Sequence, residues 1–505
     1  GPLVVLFGAL AAAGVQIVTF TGLAVATTQH FFRIGASVTG VTLGWSMALV
    51  GAGHLVGISV GVAMLVGLLI TWAGIVPIMT AGLEGDIGEL ADHAFRSQAR
   101  FIGAGVIGVA AIWSLVKLVK PVFDGMVATA RASAAAKTGA PEDRDLSPGV
   151  IGLICLGCLV AIGWLLYGFV QGGPLDALTW PLVLGGVAFV VVVGAFIATV
   201  AGYMAGLIGA SNSPVSGIGI LATVSGALML AIFAQPVLGV GATDALVAFS
   251  LFAVAIVFSV ATISNDNLQD LKTGYLVGAT PWRQQVALIV GVLAGALVIG
   301  PVLDMLNHAY GFAGDLNRSA VVAKPLDAPQ AVLISDLARG VLNAKLDWSL
   351  IGMGALIGLV LIFIDEILGF LKKLRIPPLA VGIGIYLPMD ATEPVILGAA
   401  IGWLYDRAVS RRENAAMAKR FGVLLASGLI VGESLLGILN AGLIGATNDP
   451  TPLALVGVIS AVTGGVATPE KVGAVLAGAA NWVGAGLFAA AIAISYSWMS
   501  RQSKA

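Results

Sequence analysis

Charged residues are scarce in this chain of 505 residues. Asp, Glu, Lys and Arg together make up 10% of it, whereas 58% is hydrophobic and the mean hydropathy is +1.02. A typical soluble domain is about 25% charged, so water is not the main solvent of this protein. The net charge of −1 also argues against nucleic acid as a partner and against a strongly basic membrane-surface protein.

Histidine and cysteine are rarer still, with four and two residues. Cys155 and Cys158 lie in one apolar run, with no second cysteine pair and no nearby histidine. This pattern favours buried structural cysteines over a metal site, and we predict no bound metal and no cofactor. No GxxxxGK[ST] motif occurs, which argues against ATP hydrolysis by the chain itself.

Long apolar runs recur from one end of the chain to the other. About 20 apolar residues suffice to cross a bilayer as a helix, and on that rule we predict roughly twelve to thirteen membrane-embedded segments. The runs 36–78, 377–406 and 451–468 are ambiguous. The predicted fold is an all-α polytopic membrane protein in the cytoplasmic (inner) membrane of the cell, a helical bundle with internal repeats and broken or re-entrant helices.

Basic residues mark the cytoplasmic side of such a bundle. Lys and Arg cluster in 117–148, 371–376 and 407–420, which we place inside the cell. By contrast, 82–93 is acidic and 171–180 contains no Lys or Arg, so we place both outside.

One decapeptide occurs twice: AGLIGASNSP at 205–214 returns as AGLIGATNDP at 441–450, with eight of ten positions identical. Matched interruptions of hydrophobic segments are the best sequence pointer to a transporter's binding site. The alternative is an ordinary interfacial loop followed by a capped helix. Because the break is repeated, we favour the binding-site interpretation over the ordinary loop. We predict substrate-binding or gating roles for Asn212, Pro214, Asn448, Asp449 and Pro450.

A second kind of break lies in 377–406, where PMDATEP at 388–394 sets two prolines close together. Proline ends helices, and each flanking arm of about 12 residues would rise roughly 18 Å, short of a hydrocarbon core of about 30 Å. Both ends lie in basic clusters. We therefore predict a re-entrant hairpin or two short spans buried in protein, with Asp390 and Glu393 at the break.

A further internal match indicates an ancient duplication. Residues between Val50 and Trp72 align with residues between Val381 and Trp403 at a constant offset of 331, and Arg100-Phe101 aligns with Arg420-Phe421 at an offset of 320. We interpret 1–505 as a single transport domain. Its predicted divisions are 1–149, part of a first repeat half that lacks N-terminal helices, 150–346, central helices and loops, and 347–505, the second repeat half.

Ionisable residues in an apolar context are functional candidates by default, because a buried carboxylate is costly. Glu433 is the sharpest case, since it lies in the middle of an apolar run where the aligned copy has Trp113. With Asp390 and Glu393 it is a candidate for proton coupling; the alternative for Glu433 is a structural hydrogen bond to a neighbouring helix. His54 is predicted to be a satisfied residue between helices.

The polar stretch 262–281, which includes Asp266, Asp270 and Lys272, is by composition a solvated cytoplasmic loop. Its second half, DLKTGYLVGATP, occurs together with NSPVSGIG at 212–219 and LASGLIVGESL at 425–435. In order and spacing these three stretches resemble the oligopeptide transporter (OPT) family, which includes the yellow-stripe-like carriers of metal chelates, and the chain looks like a prokaryotic member. The resemblance makes the loop a family hallmark.

The resemblance implies a proton-coupled symporter of small oligopeptides or peptide-like metal chelates. Its partners would be the lipid bilayer, protons and that substrate, and the sequence leaves a homo-oligomer open. The alternatives are an ion channel, for which no filter sequence is found, and an intramembrane lipid-modifying enzyme. Such an enzyme would need clustered Asp residues for Mg²⁺, and Asp266 and Asp270 are too sparse.

Overall fold

The computed structural model describes residues 1–135, 144–208, 215–312, 320–322, 328–343, 347–455 and 469–502. Helices dominate these residues, so the predicted all-α class is confirmed. In chain order they are α1 (Pro2–Phe20), α2 (Met47–Val56), α3 (Ile58–Leu69), α4 (Val76–Thr80), α5 (Ile87–Ala94), α6 (Arg100–Ala135), α7 (Pro148–Val170), α8 (Thr179–Ile208), α9 (Val215–Phe233), α10 (Gln235–Leu238), α11 (Thr243–Leu276), α12 (Pro281–Tyr310), α13 (Pro329–Asn343), α14 (Trp348–Phe370), α15 (Pro378–Tyr386), α16 (Met389–Val409), α17 (Ala415–Thr447) and α18 (Pro469–Gln502).

Two compact units share these helices. The first comprises Gly1–Ile107, Gly300–Asp327 and Ser349–Ala505, and the second Gly108–Ile299 and Ala328–Trp348. The core of the first unit surrounds Trp72, Ile102 and Ile385. A core of the second unit surrounds Leu166, Leu246 and Phe249.

Nine helices among the described residues are long and apolar enough to cross a bilayer. This is fewer than the apolar runs predict, because the apolar runs 101–116 and 377–406 contain no such helix, 215–234 contains only a shorter apolar helix, and most of 451–468 lies outside the described residues. The run 36–78 contains a β-strand and the ten-residue α2 besides the span that begins at Ile58. The run 377–406 contains the nine-residue α15 and most of α16, in which Asp390, Glu393, Asp406 and Arg407 are charged.

A two-stranded β-hairpin is the main departure from the helical prediction. Strands β1 (Thr27–Ile34) and β2 (Ser37–Gly44) are antiparallel, with Thr27 opposite Gly44 and Ile34 opposite Ser37. Both strands are rich in Thr, Val or Phe, and β-branched and aromatic residues favour strands. Gly35, with φ +61°, supplies the left-handed conformation of the two-residue turn. β2 is the more buried strand and packs against α16.

The prediction of a cytoplasmic loop over 262–281 is wrong for most of its length. α11 continues through it to Leu276, and only residues 277–280 connect to α12. No proline or glycine occurs from 262 to 273, so nothing in the backbone stops the helix at the end of its apolar part. Asp266, Asp270 and Lys272 are therefore exposed side chains on a helix.

The two prolines of 388–394 behave differently. The chain breaks at Leu387–Pro388, as predicted, but Pro394 lies inside α16, so the arms are 9 and 21 residues long. Pro394 is near the start of the helix and costs it one hydrogen bond, the one to the carbonyl of Asp390. That carbonyl instead lies against the backbone of Gly44, which has no side chain to obstruct it.

Cys155 and Cys158 are free and exposed on α7, so the prediction that they are buried is wrong. α7 is apolar almost throughout, and only Leu166 and Val170 are buried. In a bilayer an apolar helix can face lipid, and an apolar context therefore does not imply burial in protein.

The breaks of the two aligned segments coincide. Gly57, with φ +82°, separates α2 from α3, and at the sequence offset of 331 it aligns with Pro388, which separates α15 from α16. At several glycines of these two segments, the backbone lies against a carbonyl group of the other segment. Each such contact occurs twice: when every residue is replaced by the one aligned with it in the other segment, the second contact is obtained. The pairs are Gly53–Val395 and Gly384–Met64, and Gly67–Val381 and Gly398–Val50.

Paired contacts of this kind arise when a two-fold axis relates two copies of a segment, because residue i of one copy then contacts residue j of the other, and residue j contacts residue i. The equivalent helices α3 and α16 run in opposite directions, because Gly61 contacts Ala399 whereas Trp72, further along, lines the same cavity as Met389. A two-fold axis that relates antiparallel helices is perpendicular to them, which is the arrangement of inverted repeats. This is the arrangement that the duplication inferred from the sequence would produce, and the duplication itself stays a prediction.

Candidate functional site

Two π-helical segments lie beside the broken helix α15–α16. Ile70–Ile75 joins α3 to α4, and in it the N–H of Val76 donates to the carbonyl of Thr71, five residues earlier. It precedes Pro77, which cannot donate to the preceding turn. Phe95–Ala99 joins α5 to α6, where the N–H of Arg100 donates to the carbonyl of Phe95. Short π-helices of this kind occur frequently at functional sites.

The β-hairpin stabilises the first π-helix. The hydroxyl of Thr39 in β2 donates a hydrogen bond to the carbonyl of Trp72. The Trp72 ring stacks on Phe95 of the second π-helix, with centroids 5.6 Å apart, and lies 6.4 Å from Phe31 of β1. Hairpin and π-helices therefore meet around one indole ring.

These elements and the break at Pro388 enclose a small cavity of about 100 Å³, which we call the Arg100 pocket. Its walls combine aromatic rings with charges of both signs. It is lined by Gln29, Phe31, Thr42, Trp72, Asp92, Phe95, Arg96, Arg100, Pro388, Met389 and Asp390.

Arg100 is the central cation of this pocket. Its guanidinium lies 4.7 Å from the ring centroid of Tyr386 and 5.9 Å from that of Phe95, which are cation–π distances. Its Nε is buried and has no hydrogen-bond partner among the residues that the structure describes. A buried, unsatisfied donor is unusual and calls for an explanation.

Two acidic residues line the same pocket as Arg100. Asp92 of α5 forms an ion pair of 2.8 Å with Arg96, in which both side chains are more than half exposed. Asp390 lies in the first turn of α16, on the wall formed by the broken helix. The pocket therefore offers two guanidinium groups and two carboxylates. Within the described ranges, no cluster of three or more His, Cys, Asp and Glu could hold a bare metal ion.

Glu393 lies on the other side of Trp72 and Met389. It lines an open, largely apolar groove of about 710 Å³ and accepts a hydrogen bond from the N–H of Gly44, 3.4 Å away. The structure thus brings Asp390 and Glu393 to the same broken helix, as predicted, but places them on different cavities.

Glu433 lies outside the pocket, at the start of α2. Its Oε1 accepts a hydrogen bond of 2.7 Å from the hydroxyl of Ser46, and its Oε2 accepts one of 2.9 Å from the N–H of Ala48. Ser46 in turn accepts from the N–H of Leu49 and so caps α2. The carboxylate on α17 thus lies at the positive end of the α2 dipole.

The second decapeptide ends a helix where predicted. α17 stops at Thr447, and Asn448 takes the left-handed conformation with φ +51°. The Asn448 Oδ1 is 3.3 Å from Nε2 of His308 on α12, and Asp449 accepts a hydrogen bond from the N–H of Thr451. Asn448, Asp449 and Pro450 are exposed. In the first decapeptide, Asn212 and Pro214 lie outside the described residues.

His54 is satisfied between helices, as predicted: its Nδ1 is 2.8 Å from the hydroxyl of Tyr496 on α18. The sequence argument did not identify Arg100, Arg96 or Asp92 as site residues. The only available signal was the alignment of Arg100 with Arg420, which served there as a marker of duplication.

Membrane-spanning helices that break beside a polar pocket are typical of membrane transport proteins, in which irregular backbone at depth lines a cavity. Comparison with known sequences identifies the family within this class. The chain belongs to the oligopeptide transporter family, since the family model described as OPT oligopeptide transporter protein matches residues 3–444. Membership indicates a multi-pass membrane transporter rather than an enzyme.

Individual relatives agree with this assignment. A protein of Haemophilus influenzae named as an oligopeptide transporter is 42% identical over 436 residues, which is 83% of this chain and 68% of that protein. Two plant proteins named as metal-nicotianamine transporters match less of it: YSL12 of Oryza sativa is 26% identical over 224 residues (43% of this chain, 29% of that protein), and YSL5 of Arabidopsis thaliana is 25% identical over 194 residues (37% and 25%). No solved structure matches the chain.

Proposed function

We propose that the protein is a proton-coupled symporter of small oligopeptides or peptide-like metal chelates in the cytoplasmic membrane. The observation that carries the proposal is the buried Nε of Arg100, which has no hydrogen-bond partner in the described part of the chain and lies in a pocket that also holds carboxylates. A bound carboxylate group would satisfy that donor. Family membership and the names of the relatives agree with both substrate classes.

The charges of the Arg100 pocket fit a zwitterion. A peptide carries a carboxylate at one end and an ammonium group at the other, and charge-assisted hydrogen bonds to ionised partners are the strong ones. Arg100 would receive the carboxylate, and Asp390 on the opposite wall would receive the ammonium group. A metal chelator made from amino acids presents the same groups, so any metal would arrive already bound to it.

Proton coupling would act through Glu433. Its carboxylate accepts two hydrogen bonds at the start of α2, and a protonated carboxyl group loses acceptor capacity and charge there. α2 packs directly on α16 through the contact of Gly53 with Val395, and α16 carries Asp390 in its first turn. Protonation would therefore loosen a helix that is in contact with one wall of the substrate pocket.

The repeated decapeptide is proposed as a gate. Asn448 ends α17 and lies beside His308 of α12, so the chain that follows it is tied to a second helix. Asp449 and Pro450 continue this exposed turn. Asn212 and Pro214 have the matching positions in the first copy.

Uptake of labelled trialanine into proteoliposomes tests the substrate proposal. The matched probe is trialanine with an acetylated N-terminus and an amidated C-terminus, which has the same side chains but no terminal charges. We expect uptake of the first and little of the second, and iron–nicotianamine measured in parallel distinguishes peptide from chelate. Equal uptake of free and blocked trialanine would show that the pocket does not read the terminal charges.

The pH gradient tests the coupling proposal. An inward proton gradient should accelerate substrate uptake by the native protein but not by Glu433→Gln, whose side chain cannot take up a proton. Glu413→Gln, at an exposed residue before α17, is the control and should retain the stimulation. If Glu433→Gln is stimulated as strongly as the native protein, Glu433 is not the coupling residue.

A further inference from the structure

A further cavity lies in the second unit, and none of the residues that line it is assigned to transport above. α8 and α9 both pack against α11 but contact each other little, which leaves a space of about 250 Å³ between them. We call it the Ser250 cavity. Its wall along α8 extends from Pro181 to Phe189, a rise of roughly 12 Å for an α-helix.

The mouth and the floor of the cavity differ in exposure. Pro181, Gly185 and Phe233 line the mouth and are exposed, whereas Phe249 and Ser250 on α11 are buried at the floor. The mouth therefore opens through exposed apolar surface on α8, which is long and apolar enough to cross a bilayer, and on α9, whose described part contains a shorter apolar helix.

Ser250 is the polar group that singles out this cavity. Its side chain lines the space, it is only 2% exposed, and its Oγ has no hydrogen-bond partner among the residues described. A buried serine on a helix commonly donates to the carbonyl four residues earlier, and Ser259 on the same helix does so, to Ala255. An unsatisfied hydroxyl at the floor of a cavity is the feature that a ligand would complete.

Glycines keep the cavity open. A methyl group at Gly185 would meet no atom within 4 Å. A methyl group at Gly226 would lie 3.3 Å from the Phe189 ring and 3.7 Å from Oγ of Ser250. The remaining lining is apolar, and among the described residues no Asp, Glu, Lys, Arg or His contributes to it. A ligand for this site is therefore uncharged and mostly apolar.

We propose that the Ser250 cavity binds a membrane-soluble amphiphile with a hydrocarbon body and a single hydroxyl or carbonyl group. The polar group pairs with Oγ of Ser250, and the hydrocarbon fills the space toward Phe233 and gains dispersion contacts that an empty cavity lacks. The ligand enters from the bilayer between α8 and α9. This site is independent of the proposed transport function.

Thermal unfolding of the purified full chain in nanodiscs tests the proposal, with 1-decanol and decane as probes. A ligand that binds only the folded state raises Tm. We expect 1-decanol to raise Tm by at least about 2 °C more than decane at equal membrane content. Ser250→Ala should abolish that difference, whereas the control Ser259→Ala should retain it.

A second variant separates binding from a general effect of alcohol on the bilayer. Gly185→Leu adds a large side chain at the mouth, where a methyl group would meet no atom within 4 Å, and we expect it to remove the stabilisation by both probes. The proposal is overturned if 1-decanol and decane shift the native protein equally, or if Ser250→Ala or Gly185→Leu responds to 1-decanol as the native protein does.

Discussion

The carboxylate of Glu433 on α17 accepts a hydrogen bond from the backbone N–H of Ala48, 2.9 Å away at the start of α2. A helix of ten residues is too short to be stable alone, so its ends depend on partners elsewhere in the chain. At its start these partners are Glu433 and Ser46, which bond to one another as well as to α2. One titratable group thus contributes to the position of a whole helix.

Ser46→Ala should destabilise the protein, because it removes both the cap of Leu49 and one hydrogen bond to Glu433. Loss of a helix cap costs about 0.5–2 kcal/mol, and we expect a lower Tm in thermal unfolding of the detergent-purified protein. Ser427→Ala is the control, since that hydroxyl donates within α17, to the carbonyl of Val423. Equal Tm values for the two variants would contradict the capping role.

Arg100→Lys should weaken peptide binding although it keeps the positive charge. Lysine lacks the planar guanidinium that stacks on Tyr386. It also lacks the Nε–H donor, which has no hydrogen-bond partner among the described residues. A loss of about 1.4 kcal/mol corresponds to a tenfold weaker apparent affinity, measured as the half-saturating peptide concentration in uptake. The control is Arg420→Lys, an exposed arginine that aligns with Arg100 in the sequence. An unchanged half-saturating concentration in Arg100→Lys would exclude Arg100 from substrate binding.

Asp365→Asn should destabilise the turn between α14 and α15. This buried carboxylate accepts hydrogen bonds from the guanidinium of Arg375 and from the N–H of Ile376. The hydrogen bond to Asp365 raises the pKa of Arg375 above its usual value, so the arginine stays protonated throughout the physiological range. Asn removes the negative charge of the acceptor, and hydrogen bonds to charged groups contribute about 1.5–3 kcal/mol.

Tm again measures the effect of Asp365→Asn. Glu366→Gln is the matched control, because Glu366 pairs with the same Arg375 at 3.1 Å but is much more exposed. Its change in Tm should be the smaller of the two, as exposed ion pairs contribute little. The reverse order would show that Asp365 is not the main support of the turn.

Gly398→Ala should be more damaging than Gly437→Ala, although both replace glycine within a helix. A methyl group at Gly398 would overlap the carbonyl of Val50, whereas one at Gly437 would meet nothing within 4 Å. Overpacking costs about 1–3 kcal/mol, while the higher helix propensity of alanine favours the control. Unfolding temperatures that fall equally would argue against the close approach.

The sequence predicted features that depend on local rules. The repeated Asn-Pro motif gave the end of α17 at Thr447, and Pro388 gave the break between α15 and α16. The hairpin at 27–44 was not predicted, because strand residues such as Val and Thr are also common in apolar helices. The continuation of α11 to Leu276 was not predicted, because hydropathy indicates where the apolar part of a helix ends and not where the helix itself ends.

The Arg100 pocket could not be predicted in the same way. Its walls come from positions near 30, 72, 95 and 390, and only the fold brings these together. Arg100 and Asp92 look in the sequence like residues of a polar loop and helix start. The π-helices that orient Trp72 and Phe95 arise from backbone geometry for which the sequence offers little signal beyond Pro77.

The reciprocal glycine contacts limit how this molecule can move. At four places the main chain of one helix touches the bare Cα of another, which leaves no side chains that could swing aside to allow sliding. These contacts therefore oppose the sliding of α2 along α16 and of α3 along α15. Inhibitors aimed at this interface would find no space to enter, whereas the capped start of α2 and the exposed end of α17 offer positions where a bound molecule could arrest the transport cycle.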